Sequence, residues 1–389
     1  METLYQKFEI LLQSTPVDFK RYLYEEISWE SRMTGIIGAR GVGKTTMLLQ
    51  YIREKLNRSN TLYVSADDLY FSENKLIDLA DEFHKSAGEY LFIDEIHKYS
   101  SWSSELKNIY DSFPSLRVVF SGSSVLDILK GSADLSRRAI IYQMRGLSFR
   151  EYLNLFHNHN IAPVTLQQII NKEFKLEDIR HPLPLFKDYL QRGYYPFGIE
   201  NDLNLRLGQI IVQTLESDIP QYANLNVGTA RKLKRLLSII SESVPFKPNF
   251  SKIAAMINVS RNSLDNYFLY IEQAGLIGQL RDDTKGIRGL GKVDKVYLDN
   301  TNLIYNLVGD GANTGNLRET FFYNQMQVRH DVISSKTGDF LIDGLTFEVG
   351  GEKKSQKQIA KDGKSFLVKD DIEFGYQNVL PLWAFGLNY

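Results

Sequence analysis

Cysteine is absent from all 389 residues. Its absence excludes disulfides, a thiolate nucleophile and any cysteine-ligated zinc, and it fits a reducing compartment. Long apolar runs are missing too; none approaches the ~20 residues that a membrane-spanning helix needs. The opening METLYQKFEILLQ threads charges through its apolar residues and lacks a signal-peptide cleavage pattern, so a cytoplasmic protein is expected. Charge of one sign is also lacking. The 46 Lys and Arg against 47 Asp and Glu leave a formal net charge of −1, which excludes a generally polybasic chain but not a local basic patch. There is no internal repeat and no low-complexity tract.

What is present suffices for two or three domains, with 43% hydrophobic residues to build their cores. Residues 1–30 read as helical, interrupted at Pro16. The pattern then changes to strands alternating with helices: MTGIIG, TLYVSADD, EYLFIDEIH and LRVVFSGSS are strand-like, while MLLQYIREKL and SSELKNIYDSF are helical. This alternation predicts an α/β domain with a mainly parallel sheet over residues 1–150. A helical region is expected over 151–235, a further domain over 236–308, a linker at GDGANTGN (309–316), and a small α+β domain over 317–389.

GARGVGKT, Gly38 to Thr45, matches the phosphate-loop pattern G-x-x-x-x-G-K-[ST], and it sits between a strand and a helix as that chemistry requires. Glycines let backbone N–H groups of Gly38, Ala39, Arg40, Gly41, Val42, Gly43, Lys44, Thr45 and Thr46 curl around phosphate oxygens. The following helix points its N-terminus at the same anion. Lys44 is expected to bridge β- and γ-phosphates, and the Thr45 hydroxyl to hold Mg²⁺. The apolar strand YLFID delivers Asp94 to the sheet edge where ligands bind, as a second Mg²⁺ contact through water. Glu95 follows at once, placed to polarise the attacking water. Together these predict a P-loop NTPase with one strand inserted between loop and acids. Ser121 or Ser123, ending the next strand, is a candidate γ-phosphate sensor. Arg137 and Arg138 are candidates to stabilise the transition state, in cis or towards a neighbouring subunit.

The stretch FSKIAAMINVSRNSLDNYFLYIEQAGLIGQL predicts a helix, a turn near Asn258, and a second helix capped by Ser260 with Leu264, Tyr267, Phe268 and Ile271 on its inner face. Two strands around a glycine-rich basic wing follow, completing a winged-helix pattern. Residues 231–295 hold twelve Lys/Arg against six Asp/Glu. Arg261, Lys285, Arg288 and Lys292 are therefore candidate phosphate contacts on duplex DNA. The second helix offers bases only Arg261, Asn262 and Asn266 and carries Asp265, so docking to a domain or protein partner, or self-association, stands beside DNA.

The stretches EEISWESRMTGIIGARGVGKTTMLLQY, YLFIDEIHKYSSWSSELKNIYD, VVFSGSSVLDI, ADLSRRAIIYQMRGLSFREYL and KVYLDNTNLIYNL together resemble the prokaryotic ATPases of the AAA+/archaeal-type class. These pair a P-loop domain with a winged helix and a C-terminal domain of unknown function. The resemblance spans nearly the whole chain and is most specific over its first 150 residues. It implies an ASCE-type core, ATP as the nucleotide, and Arg138 as the match to the arginine of a Leu-Ser-Gly-Arg stretch. Arg137 stands where that stretch has glycine, which leaves the choice between the two arginines open.

The C-terminal domain of that class resembles the restriction-endonuclease fold, whose site needs two carboxylates for a metal and a lysine for water. Asp339 and Glu348 match the carboxylates, with Glu319 as an auxiliary ligand and Asp343 better suited to a hairpin turn. Residue 350, on the same strand face as Glu348, is glycine where the lysine belongs. Lys353 and Lys354 lie just beyond, in what reads as a turn followed by solvated charge. The expectation is an inactive nuclease fold in which the glycine pair allows a tight turn.

Overall fold

The computed structural model describes residues 1–123, 135, 137–176, 179–223, 225, 227–243, 245–282, 291–351 and 364–389. They form two compact units, Met1–Gly146 and Leu147–Tyr389.

The first unit opens with α1 (Glu2–Ser14), which buries Leu4, Phe8 and Leu12 at helical spacing and ends just before Pro16. Five strands follow in chain order: β1 (Met33–Ile37), β2 (Thr61–Ser65), β3 (Tyr90–Asp94), β4 (Arg117–Gly122) and β5 (Ile140–Gln143). They pair in the order β2-β3-β4-β1-β5, every pair parallel. β4 therefore lies between the strand that leads into the phosphate loop and the strand that ends in Asp94. β1 is buried at all five positions and β3 at four of five, as expected of strands covered on both faces. The helices of this unit are α2 (Lys44–Lys55), α3 (Leu76–Lys85) and α4 (Trp102–Ser112). α3, unread in the sequence, buries Leu76, Leu79, Ala80 and Phe83 along one stripe.

The second unit begins with helices: α5 (Phe149–Phe156), α6 (Leu166–Asn171), α7 (Pro182–Arg192), α8 (Leu203–Gln213), α9 (Ile219–Ala223) and α10 (Val227–Ser243). α11 (Phe250–Ile257) and α12 (Arg261–Gln273) are joined through Asn258, whose φ of 53° is the left-handed turn conformation that asparagine tolerates. The Ser260 side chain accepts the Ser263 N–H at 3.1 Å, capping α12, and Leu264, Tyr267, Phe268 and Ile271 are buried. An antiparallel pair, β6 (Ile277–Arg281) and β7 (Val293–Leu298), follows. The intervening wing, with Lys285 and Arg288, lies outside the described residues.

The expected linker at 309–316 is shorter than the glycines suggested. After α13 (Thr301–Val308), Asn313 caps α14 (Thr314–Met326) by accepting the Gly315 N–H at 2.8 Å. β8 (Ile333–Ser334), β9 (Phe340–Ile342), β10 (Leu345–Gly350), β11 (Ser365–Lys369) and β12 (Val379–Pro381) form a mixed sheet in the order β12-β11-β10-β9-β8. A single aromatic-rich core, including Phe149, Phe186, Tyr189, Phe321, Phe322 and Phe385, ties the early helices to this sheet. No described helix is long and apolar enough to cross a membrane.

Candidate functional site

In the first unit the loop between β1 and α2 turns through two glycines in the left-handed region, Gly41 at φ 78° and Gly43 at φ 96°. A side chain would strain that path, so the pattern's glycines are backbone requirements here. Lys44 is 5% exposed, and its ammonium donates to the carbonyls of Gly38 at 2.8 Å and Ala39 at 3.0 Å. Burial pushes its pKa down, against the pull of Glu95 and Asp94. Thr46 is exposed in the first turn of α2. Arg21, which no motif marks, is buried and donates to the carbonyls of Val42, Arg145 (2.7 Å) and Gly146 (2.8 Å). It thereby ties the N-terminal segment to the phosphate loop.

Asp94 collects donors from three elements. Its Oδ2 accepts the Thr45 hydroxyl at 2.5 Å and the Tyr63 phenol at 2.8 Å, while Oδ1 accepts the Ser121 hydroxyl and the Glu95 N–H, the latter at 3.0 Å. Ser121 is thus bonded to this carboxylate. Ser123, at the end of the same strand, donates to Glu95 Oε2 at 3.0 Å, and His97 Nε2 lies 3.3 Å from that oxygen. Burial raises the Glu95 pKa, with Lys44 opposing and Asp94 reinforcing.

The two candidate arginines separate. Arg138 is held bidentately by Asp111 on α4, Nε to Oδ1 at 3.0 Å and one terminal nitrogen to Oδ2 at 2.9 Å. Arg137, one residue earlier, is exposed.

In the second unit, Arg261, Asn262, Asp265 and Asn266 share the exposed face of α12. Arg261 is engaged by Asp265 at 3.4 Å and stacks over Phe250 at 4.7 Å. Lys292 is exposed.

Two of the expected C-terminal carboxylates, Glu319 and Asp339, converge, but around a lysine that the sequence did not suggest. Lys295 on β7 lies 3.0 Å from Glu319 Oε2 and 2.9 Å from Asp339 Oδ1. Tyr297 donates to the same Glu319 oxygen at 3.0 Å, and Asp339 Oδ2 accepts the Val349 N–H at 3.0 Å. Glu348 is the neighbour of Val349 and borders Gly338. Burial opposes the Lys295 charge, yet Glu319 and Asp339 outweigh it and hold its pKa above the ordinary value. Burial, then the charge of Asp339, raises the Glu319 pKa. His330 meets Asp343 at 2.9 Å, and Asp343 (φ 51°) and Gly344 (φ 79°) form the hairpin turn.

Gly350 does not form the expected turn. Gly350 is a strand residue of β10 in register with Lys369 of β11, which is 8% exposed. At Gly351 an added Cβ would come within 3.0 Å of the Arg318 guanidinium, which is ion-paired with Asp370. That glycine therefore leaves room for Arg318. Lys353 and Lys354 lie outside the described residues.

Tyr63, His97 and Lys295 were thus missed. His97 had a readable signal, its place two residues after Glu95. Tyr63 and Lys295 had none, because their partners are far away in the chain.

Residues 30–153 match the family described as "AAA domain", and residues 183–314 match a domain of unknown function, DUF8612. An uncharacterized protein of Methanocaldococcus jannaschii is 26% identical over 390 residues, covering 87% of this chain and 80% of that one. Among solved structures, the Walker-type ATPase PABY2304 of Pyrococcus abyssi aligns with a TM-score of 0.45 at 13% identity, over 77% of this chain and 99% of that one. AMPPCP-bound DnaA of Aquifex aeolicus aligns at 0.30 with 14% identity, over 70% and 89%. Residues 30–153, which hold the phosphate loop and most of its parallel sheet, are thus similar to an AAA domain, and the second unit carries the match to a domain of unknown function.

Proposed function

We propose that the protein binds and hydrolyses Mg·ATP at the Gly38–Thr46 loop and that nucleotide state is coupled to the second unit. The observation that carries this reading is the grouping of Lys44, Thr45, Asp94 and Glu95 at the ends of β1 and β3. The Thr45 hydroxyl and the Asp94 carboxylate are hard oxygen donors side by side, the type of pair that suits Mg²⁺. Bound there, Mg²⁺ supplies charge neutralisation for the phosphate oxygens. Loop N–H groups and the start of α2 hold the phosphates, and Lys44 reaches the β- and γ-oxygens. Glu95 orients the attacking water and takes its proton, a task that suits a carboxylate whose pKa burial has raised.

The test is a pair of variants. Lys44→Ala loses nucleotide binding, whereas Glu95→Gln binds ATP without turning it over. Hydrolysis by Glu95→Gln at the wild-type rate removes Glu95 from the mechanism.

A second reading is duplex DNA binding through α11, α12 and the β6–β7 hairpin, with ATP as the switch. The excess of twelve basic over six acidic residues in 231–295 supports it. A nucleotide-gated protein platform is the outcome if DNA does not bind. The C-terminal domain does not cut nucleic acid in this reading, since Lys295 already engages both Glu319 and Asp339 in ion pairs.

A further inference from the structure

We propose that His97 is a positioning residue for catalysis: its imidazole, together with the Ser123 hydroxyl, holds the Glu95 carboxylate in its working orientation. The inference rests on the reading of Glu95 as the group that acts on water.

The local backbone explains why residue 97 can reach residue 95. β3 ends at Asp94, and Glu95 then adopts φ 50°, ψ 39°, the left-handed region. A 3₁₀ turn over Ile96–Lys98 follows, closed by the Lys98 N–H on the Glu95 carbonyl at 2.9 Å. The reversal brings the imidazole back to Glu95, while Ile96, fully buried, anchors the turn in the core. The contacts then converge. Ser123 Oγ is 3.0 Å from Glu95 Oε2, His97 Nε2 is 3.3 Å from the same oxygen, and Ser123 and His97 are 3.5 Å apart. One carboxylate oxygen is thus restrained from two elements, the β4 end and the 3₁₀ turn.

A glutamate side chain has three rotatable bonds, and a catalytic carboxylate displaced by about 1 Å loses much of its effect. The His97 side chain is 4% exposed, so solvent competes little for its ring. A histidine kept only for packing would have no reason to place its ring nitrogen against the carboxylate.

The experiment uses the full chain with Mg²⁺ and measures nucleotide affinity and steady-state ATP turnover separately. His97→Leu should lower kcat about tenfold or more, with KM and nucleotide Kd unchanged. His97→Gln, whose amide nitrogen reaches about as far as Nε2, should return kcat to within roughly threefold of wild type. Ser123→Ala should lower kcat in the same way as the leucine variant. If His97→Leu fails to fold, His97→Asn takes its place; its shorter amide stops short of Glu95 and should show the low kcat. Wild-type turnover in His97→Leu overturns the inference, as does equal impairment of the leucine and glutamine variants, or loss of affinity in step with kcat. These results leave the hydrolysis reading standing as long as turnover depends on Glu95. A wild-type protein that binds Mg·ATP and never hydrolyses it overturns that reading, and this inference with it.

Discussion

Lys295 on β7 and Asp339, just before β9, meet at 2.9 Å although they stand 44 positions apart in the second unit. The same ammonium reaches Glu319 at 3.0 Å, so one cation serves two carboxylates. Removing the cation leaves two largely buried carboxylates facing each other, which costs about 3 kcal/mol. Lys295→Met should therefore lower the melting temperature by roughly 5–10 °C. Thermal unfolding at pH 7 checks this, and the gap should narrow in acid as the carboxylates take up protons.

Glu319→Gln should be tolerated. The folded-state pKa of Glu319 is raised, so the folded state binds its proton more tightly than the unfolded state does. Wild-type stability from this group therefore falls as pH rises from the ordinary glutamate value through the raised one. The glutamine variant lacks that slope and should gain on wild type as pH rises above the ordinary glutamate range. Melting both proteins across that range tests the sign. A variant that loses ground as pH rises contradicts it.

Tyr63→Phe removes a buried donor from Asp94 and leaves the ring in place. Partners that orient metal ligands typically contribute about tenfold or more to metal affinity. The variant should need roughly tenfold more Mg²⁺ for half-maximal ATP turnover, with its fold intact. Mg²⁺ titration of the ATPase rate is the measurement.

Of the two arginines, Arg137 should carry the transition-state charge, because Asp111 occupies Arg138 in a bidentate pair. Arg137→Ala should slow turnover by about a hundredfold or more, while Arg138→Ala changes it little. Mixing Arg137→Ala with Lys44→Ala protein should restore turnover if the arginine acts on a neighbouring copy. The reverse ranking of the two variants would sink the assignment.

Duplex DNA should raise the ATPase rate at low salt if the basic segment around α12 contacts it, and that stimulation should fall steeply with added salt. An unchanged rate favours a protein partner instead.

Much of the first unit was legible because its determinants are local. The phosphate loop, the apolar strand ending in Asp94 and the strand-helix alternation each lie within a dozen residues, and the structure places them together. α3 escaped because its apolar stripe lies in the polar stretch LIDLADEFHK and no motif drew attention to it. The second unit was harder to read because its site is assembled across long separations. The lysine that meets the carboxylates stands on β7, before all of them in sequence, and not at residue 350. The glycines at 309–315 have turn composition, yet Asn313 among them caps a helix.

The left-handed conformation of Glu95 carries a backbone cost that glycine would not. A side chain held at φ 50° gives up about 1 kcal/mol relative to glycine, which adopts that region freely. A Glu95→Gly protein should therefore be inert towards ATP and no less stable than wild type.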